Sequence, residues 1–383
     1  MLKRTLLRAE VVYNGLGTPR RDGAVVIQDD GRRRQVIKVD DAAAARSAFP
    51  DAEELDAGFA VSPPPVNAHL HLDLSAMPYS VGSYDAFIRA VIRHRSDGGR
   101  GIDAARRGLD EVLRGGVRVI GDIVTDDAVM RFLLAHPEVT GVAYWEVIGP
   151  DPEQAEAVFE ATRARLASYR ELERPGGVRV GLSPHTPHTV SAPLLQKLAA
   201  LARAEGLPLQ IHVAETADEV RLHRDGSGPL ADLLAHFGVR WQPSGRSPLA
   251  YLTSLGVLDA RPTLVHMVHV DEDDVREVQR ADCAVVHCPR SNEALGCGRF
   301  PWELYARFGV DVAFGTDSRG SSPSLAVTDE VEAARALHGE RANAQALVRA
   351  AVKGGYRALG MRPPSVQRGD EADALFVWPV STT

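Results

Sequence analysis

Several features that define other classes of protein are absent from this 383-residue chain. No run of eighteen apolar residues occurs, so we expect no transmembrane helix. The first ten residues mix charged and apolar types and do not have the pattern of a signal peptide. The net charge is −7 and no basic block with interleaved aromatic residues is present, so neither nucleic acid nor a membrane surface is expected as a partner.

Cysteine is also scarce, with residues only at positions 283, 288 and 297 and no CxxC spacing. An odd number of thiols in a chain of this length argues against a disulfide framework and favours a reducing compartment, which for this protein would be the cytoplasm. We expect the three thiols to be small buried residues. Lysine occurs only at positions 3, 38, 197 and 353.

The two ends of the chain share a β-rich pattern that is interrupted by turns. Segments 10–13, 23–28 and 35–39 are short strand-like runs separated by Gly, Asp and Arg, and 374–378 is another such run after a turn. We therefore expect both termini to build one small β-sandwich module. The predicted division is 1–62 for its first part, 63–362 for the central domain and 363–383 for its second part.

The central domain alternates apolar strand-like segments with helical patterns, which is typical of βα units with a parallel sheet. Apolar residues make up 44% of the chain, enough for a sizeable core. The predicted fold class is α/β, a (β/α)8 TIM barrel. An open doubly wound sheet is the alternative, although no GxGxxG follows an early strand. The predicted strands are 66–72, 117–123, 140–147, 178–184, 208–213, 263–268, 283–287 and 311–316, and the clearest helices are 153–170, 193–205, 272–280, 325–338 and 343–359.

Two histidines separated by one residue, His69 and His71, end the first of these strands. Residues i and i+2 of a strand point to the same face, so the two imidazoles would converge at a spacing that suits a metal ion. A single His-x-His pattern is weak evidence for a metal site on its own. The signal strengthens because the later strands also end in polar residues, and such groups are costly to bury unless they are paired or bound to metal. These further residues are His185, His212, Glu215, His266, His269, His287 and Asp317.

In order and type, these residues resemble the amidohydrolase superfamily, in particular its branch of hydrolytic deaminases that includes the cytosine, guanine and S-adenosylhomocysteine deaminases. The resemblance covers nearly the whole chain. The motifs that carry it are Asn67-Ala68-His69-Leu70-His71, His212-Val213-Ala214-Glu215, His266-Met267-Val268-His269, His287-Cys288-Pro289-Arg290-Ser291-Asn292 and Gly315-Thr316-Asp317-Ser318.

The resemblance implies a role for each matching residue. His69, His71, His212 and Asp317 match the ligands of a divalent metal, with Zn²⁺ expected and Fe²⁺ as the alternative. Glu215 matches the carboxylate that passes a proton to the substrate ring. His266, together with Asp317, matches the groups that activate the attacking water. Relatives with two metals carry a lysine at the end of the fourth strand; this chain has none there, so one metal per chain is expected.

Other polar residues near the strand ends keep two interpretations. His185 matches a substrate-contacting position, but a capping role beside prolines is an alternative. Arg319 could bind a substrate carboxylate or lie solvated at the surface. His287 could support the site or simply pack, and His269 should be structural because it lies on the opposite strand face. Glu146 ends the third strand and could line the pocket, although core packing is expected.

The motifs indicate the reaction more clearly than they indicate the substrate. The reaction is the hydrolytic removal of an exocyclic amine from a heterocycle. The variant segment Pro184-His185-Thr186-Pro187-His188, with histidine where many relatives have tyrosine, resembles most the deaminases of 6-aminodeoxyfutalosine in menaquinone biosynthesis. Alternatives are an S-adenosylhomocysteine or methylthioadenosine deaminase, an amidohydrolase that cleaves another heterocyclic C–N or C–Cl bond, and an inactive barrel used as a scaffold. A small-molecule substrate is the expected partner, and the oligomeric state stays open, with a homodimer as one expectation.

Overall fold

The computed structural model describes residues 2–379. The strands are β1 Lys3–Val12, β2 Arg20–Asp29, β3 Arg34–Asp41, β4 Glu53–Asp56, β5 Ala60–Ser62, β6 Val66–Leu70, β7 Val119–Val124, β8 Thr140–Val147, β9 Val178–Pro184, β10 Gln210–Val213, β11 Thr263–His266, β12 Ala284–His287, β13 Val312–Phe314 and β14 Phe376–Val377.

The helices alternate with the barrel strands. They are α1 Ala42–Ala48, α2 Tyr84–Ser96, α3 Ile102–Arg114, α4 Asp127–Ala135, α5 Ala155–Arg170, α6 Ala192–Glu205, α7 Ala217–Asp225, α8 Pro229–His236, α9 Pro248–Ser254, α10 Glu272–Arg280, α11 Pro289–Ala294, α12 Trp302–Phe308, α13 Val327–His338, α14 Ala344–Arg349 and α15 Gly355–Ala358. Among residues 2–379, no helix combines the length and the apolar character needed to cross a membrane.

Strands β6 to β13 form the eight-stranded parallel barrel. They make two parallel sheets, β6–β9 and β10–β13. One seam between the sheets is a parallel bridge between Leu182 and Leu209, and the other is a parallel bridge between Leu70 and Asp317. Because both seams are joined, the sheet closes on itself, which confirms the TIM barrel and excludes the open doubly wound sheet.

The closing seam is reinforced by a side chain of the first barrel strand. Asn67 donates from Nδ2 to the Thr316 hydroxyl at 2.8 Å and accepts the Thr316 N–H on Oδ1 at 3.1 Å. The Asp317 N–H donates to the carbonyl of His69 at 3.1 Å. These contacts fix the first and last strands in register and so place the residues that follow both strands side by side.

The predicted barrel strands all overlap observed ones. The first, 66–72, ends two residues early at Leu70, and two later ones also end earlier than predicted. The segment 263–268 is a strand only to His266, because His266 and Met267 have φ of 71° and 47°, values that an extended strand cannot contain. The segment 311–316 is a strand only from Val312 to Phe314. Both departures lie at the end of the barrel where the polar residues collect.

The predicted helix 343–359 is not one regular helix. It is divided into α14, a π-helical turn at Ala350–Gly354 and α15. A Cβ atom added to Gly354 would lie 1.9 Å from the carbonyl oxygen of Val312, and one added to Gly355 would lie 2.5 Å from Cβ of Val66. The two glycines therefore let this segment pack directly against the first and last barrel strands, a long-range contact that the local helical pattern could not reveal.

Strands from both ends of the chain form one mixed six-stranded sheet in the order β14-β5-β1-β2-β3, with β4 also paired to β1. Strand β14 is antiparallel to β5, with Phe376 opposite Ser62. One face of the sheet is covered by α1, and the other packs against an apolar cluster that includes Val366 and Ala372. Strand β1 starts at Lys3, seven residues before the segment predicted as a strand, because its pairing partner β2 extends to Asp29.

Candidate functional site

Three imidazoles converge where the barrel strands end. His69 lies in β6, His71 directly follows it and His212 lies in β10. One ring nitrogen of each lies within 4.8 Å of the others. Oδ1 of Asp317 lies 3.7 Å from Nε2 of His69 and 3.4 Å from Nε2 of His71. All four side chains are buried. The buried Nε2 of His69 has no hydrogen-bond partner among the described residues, so it is free to coordinate a cation.

Two of the three imidazoles, those of His69 and His212, are each held by a second group through the other ring nitrogen. Nδ1 of His69 lies 2.6 Å from Oε1 of Gln210, and Nδ1 of His212 lies 2.9 Å from the carbonyl oxygen of His185. Both acceptors require the proton on Nδ1, which leaves Nε2 as a lone-pair donor. Such contacts orient metal-binding histidines in proteins and select their tautomer.

Asp317 is oriented in the same way. Oδ2 accepts hydrogen bonds from the hydroxyls of Ser291 at 2.6 Å and Ser321 at 3.1 Å, which leaves Oδ1 to face the histidines. Burial raises the pKa of Asp317, but the nearby imidazoles of His69 and His71 outweigh it and hold that pKa well below its usual value. Asp317 is therefore an anion at neutral pH.

The backbone is strained at several of these positions. Ala214, His266, Met267 and Asp317 have φ of 52°, 71°, 47° and 58°, in the left-handed region that non-glycine residues rarely adopt. All four lie at or just beyond the ends of the barrel strands. Strain of this kind costs about 1–3 kcal/mol per residue and is typical of sites where side-chain direction matters. Here it turns the side chains that follow the strands toward a common point.

Glu215 lies beside this cluster, and its Oε1 is 3.6 Å from Nε2 of His266. The carboxyl group is buried, and the Cys297 thiol lies 3.7 Å from the same oxygen. Burial, followed by the negative charges of Asp317 and Glu219, raises the pKa of Glu215 well above its usual value. The surroundings of Glu215 thus favour its protonated, carboxylic acid form.

The imidazoles of His71, His212 and His266, in contrast, favour the neutral form. Burial lowers the pKa of His71 and His212 well below 6.5. Burial also lowers the pKa of His266 to about 4, and Nδ1 of this ring lies 3.0 Å from Oδ1 of Asn292. A neutral imidazole can bind a metal or accept a proton, whereas an imidazolium can do neither.

A narrow cavity of about 70 Å³ opens from this cluster, well below the volume of most small-molecule sites. One wall is the apolar side of α2, including Phe87, Ile88 and Val91, and the opposite wall carries charged and polar groups, including Arg100 and Glu146. The cavity is lined by His71, Leu74, Tyr84, Phe87, Ile88, Val91, Arg100, Glu146, His185, His212, Glu215, His266, Asp317 and Ser318. The character of this lining therefore suits a flat, partly apolar molecule whose polar edge faces the histidines.

Of the residues with two interpretations, the structure brings His185 and Glu146 to the cavity. Glu146 points inward while its neighbour Trp145 packs on Tyr169, with ring centroids 5.6 Å apart, as expected for alternating faces of β8. Nδ1 of His185 lies 2.8 Å from the Thr189 hydroxyl, which orients the ring.

Three other residues lie away from the cavity. Arg319 does not line it, because its guanidinium lies 3.5 Å from Glu111 and contacts the carbonyl of Ser322. His287 stacks on Phe300 with centroids 4.1 Å apart and has a packing role. His269 contacts the carbonyl of Cys297, in agreement with a structural role.

The sequence reasoning missed Gln210, Tyr84 and Arg100. Gln210 could have been identified, because it lies two residues before His212 in β10 and so faces the same side of the strand. Arg100 and Tyr84 carried no usable local signal. They lie in the long connection between β6 and β7, and their approach to the strand ends depends on how that segment folds back over the barrel.

Comparison with known proteins relates this geometry to a family. Residues 60–381 match the family model described as "Amidohydrolase family". The chain is 45% identical over 386 residues to an aminodeoxyfutalosine deaminase of Deinococcus radiodurans, covering 98% of this chain and 90% of that protein. It is 34% identical over 289 residues to a 5-methylthioadenosine/S-adenosylhomocysteine deaminase of Natronomonas pharaonis, covering 71% of this chain and 61% of that protein.

Solved structures show the same fold. Helicobacter pylori aminofutalosine deaminase in complex with methylthio-coformycin has a TM-score of 0.74 at 20% identity, covering 96% of this chain and 90% of that one. An adenosine deaminase from Xanthomonas campestris with bound zinc has a TM-score of 0.66 at 25% identity, covering 96% of this chain and 83% of that one.

Proposed function

This chain belongs to the amidohydrolase family, and we propose that it is a metal-dependent hydrolytic deaminase that releases ammonia from the adenine moiety of 6-aminodeoxyfutalosine. The protein is thus a hydrolase that acts on a C–N bond, with a place in menaquinone biosynthesis. The choice of substrate rests on the 45% identity, over 98% of the chain, to an aminodeoxyfutalosine deaminase.

The metal would be held by His69, His71, His212 and Asp317. Three imidazoles and one carboxylate are a donor set that suits Zn²⁺, and the unpartnered Nε2 of His69 supports this assignment. Strand β9 ends at Pro184 with no lysine to bridge a second ion, so this centre would hold one. When bound, the ion would supply Lewis acidity and lower the pKa of a water.

The protein's own groups would divide the proton transfers between them. Protonated Glu215 would donate to a ring nitrogen beside the amine-bearing carbon, which makes that carbon electrophilic. Neutral His266, whose Nε2 lies 3.6 Å from Glu215, and anionic Asp317 would accept the proton of the attacking water. Water adds to the carbon, and the amine, once it has taken up a proton, leaves as ammonia.

Arg100 would bind the carboxylate on the acidic arm of the substrate. Nε of Arg100 lies 2.7 Å from Oδ2 of Asp73, and this contact fixes the plane of the guanidinium. The terminal nitrogens of Arg100 form no salt bridge with another carboxylate among the described residues. The side chain is only 11% exposed, so an arriving carboxylate would meet it with little competing water. Arg319, the residue first considered for this role, is already paired with Glu111.

Ammonia release across a panel of adenine nucleosides and free bases tests the proposal. We expect 6-aminodeoxyfutalosine to have a kcat/KM far above those of free adenine, cytosine and guanine. Arg100→Gln should lower kcat/KM for the acidic nucleoside by about tenfold or more, and Arg319→Gln is the matched control. An equal or greater rate with a nucleoside lacking the acidic arm would overturn the substrate and leave the deaminase reaction in place.

A methylthioadenosine or S-adenosylhomocysteine deaminase is the second candidate. It is supported by the 34% identity to the Natronomonas pharaonis protein, although that match covers a smaller part of both chains. Methylthioadenosine is the substrate that separates the two, because, unlike 6-aminodeoxyfutalosine and S-adenosylhomocysteine, it has no carboxylate for Arg100 to bind. A preference for methylthioadenosine that Arg100→Gln leaves unchanged would favour this second candidate.

A further inference from the structure

A second cluster of buried donors lies behind Glu215, away from the barrel cavity. His188 comes from the loop after β9, and Glu219 and His223 lie one helical turn apart on α7. Their exposed fractions are 5%, 3% and 0%. None of the three contributes to the lining of the cavity, so the roles assigned there do not account for them.

The donor atoms of these residues face one another across a small gap. One atom of each lies within 4.8 Å of the other two, and Nδ1 of His188 is 3.9 Å from Oε1 of Glu219. At the barrel centre the corresponding imidazole–carboxylate distances are 3.4 and 3.7 Å. The second cluster is therefore only slightly more open than the site proposed to hold the catalytic metal.

The cluster is also short of hydrogen-bond partners. Within residues 2–379, buried Nδ1 of His188, Oε1 of Glu219 and both ring nitrogens of His223 have none. Aromatic rings close one side, since Trp241 and Tyr251 lie 4.8 and 5.1 Å from the ring of His223. Leaving several polar atoms unpaired in such surroundings is unfavourable, so a species that satisfies them together is expected in the gap.

We propose that His188, Glu219 and His223 bind a second divalent transition-metal ion, with Zn²⁺ as the expected species. Two imidazoles and one carboxylate on a buried site are donors that such ions prefer, and a water can complete four-coordination. The site is separate from the barrel centre because the two share no ligand. Its purpose is structural, since Oε2 of Glu219 accepts the N–H of Glu215 at 2.9 Å and so connects the ion to the backbone of the proton donor.

Metal counting on the purified full-length protein tests this. The protein is equilibrated with Zn²⁺, dialysed against metal-free buffer and analysed by mass spectrometry. We expect two ions per chain in the wild type, one in His223→Gln, one in His71→Gln and none in the double variant. The exposed His236 lies on the next helix, and His236→Gln should keep both ions.

Several results would overturn the second site. If the wild type binds one ion and His71→Gln loses it, the gap between His188, Glu219 and His223 holds water and no metal. If His223→Gln retains two ions, the second ion binds elsewhere. Should His223→Gln fail to fold, anomalous scattering from wild-type crystals grown with Zn²⁺ decides, because it must show a peak between His188, Glu219 and His223. Metal counts do not depend on turnover, so an inactive protein with both ions would refute the proposed deaminase and retain this site.

Discussion

Oε1 of Gln210 lies 2.6 Å from Nδ1 of His69, inside the barrel and out of contact with solvent. The amide is fixed in that direction because its Nε2 donates to the carbonyl of Ala68 at 3.1 Å. Gln210 therefore holds the proton of His69 on Nδ1 and directs Nε2 toward His71, His212 and Asp317. The ligand set of the proposed metal depends on a residue that does not contact the metal.

Gln210→Leu should weaken metal binding by about 10- to 100-fold, because His69 loses the group that selects its tautomer. The variant should still fold, since leucine has a similar size. Titration with metal-buffered Zn²⁺ measures the change, and the exposed Gln154→Leu is the control. Unchanged affinity would show that packing alone orients His69.

Glu215→Gln should retain the metal at the barrel centre but lose at least about a hundredfold in kcat, because glutamine is nearly isosteric and cannot deliver a proton. Steady-state ammonia release and metal analysis of the same preparation check both parts. Activity within about tenfold of the wild type, below the usual contribution of general acid catalysis, would assign the proton transfer to another residue.

His212→Ala should lose one equivalent of metal and most of its activity together, because the metal site would then lack one of its three imidazoles. His269→Ala is the matched histidine control, since the His269 ring contacts the Cys297 carbonyl and belongs to none of the proposed ligands, so this variant should keep the full metal content. A His212→Ala protein that retains all its metal would remove His212 from the ligand set.

Asn67→Leu should lower the free energy of unfolding by about 2–4 kcal/mol, because it leaves the buried Thr316 N–H and hydroxyl without partners at the seam that closes the barrel. Asn343→Ala removes only the N-cap of α14 and should cost about 1 kcal/mol. Urea unfolding at constant metal concentration compares them. Equal costs would mean that the seam does not depend on Asn67.

Acid should destabilise the fold through the buried pair of His287 and His338. Nε2 of His287 lies 3.2 Å from Nε2 of His338, and burial lowers the pKa of His338 from 6.5 to about 4 and that of His287 well below 6.5. As pH falls from 6.5 to 4, the unfolded chain binds protons that the folded chain excludes, so the free energy of unfolding falls. Above pH 6.5 neither state protonates these imidazoles appreciably, so the free energy of unfolding no longer depends on them.

The expected loss from His338 alone is on the order of 2–3 kcal/mol over this interval. Chemical denaturation of the wild type and of His338→Gln across this pH range measures it. The slope against pH should be shallower in His338→Gln, because that variant has one buried imidazole fewer to protonate. Parallel slopes would assign the acid sensitivity to other groups.

The sequence pattern was sufficient to predict the order of the eight barrel strands, because apolar periodicity is a property of neighbouring residues. It was also sufficient to place His69, His71, His212 and Asp317 at strand ends, where a parallel barrel brings them together. It could not predict the early end of β11, since the left-handed backbone at His266 and Met267 arises from contacts such as the 2.7 Å hydrogen bond from Tyr305 to the Met267 carbonyl.

The sequence by itself determined the fold class, the family and the residue types available for chemistry, because these depend on local patterns and on the order of motifs. Only the tertiary structure decided which arginine reaches the cavity, which glutamine orients His69, and that His188, Glu219 and His223 meet behind Glu215. Those relationships join residues that are far apart in the chain. Their distances depend on barrel closure, on the path of the long loop after β6 and on the side-chain directions that packing imposes.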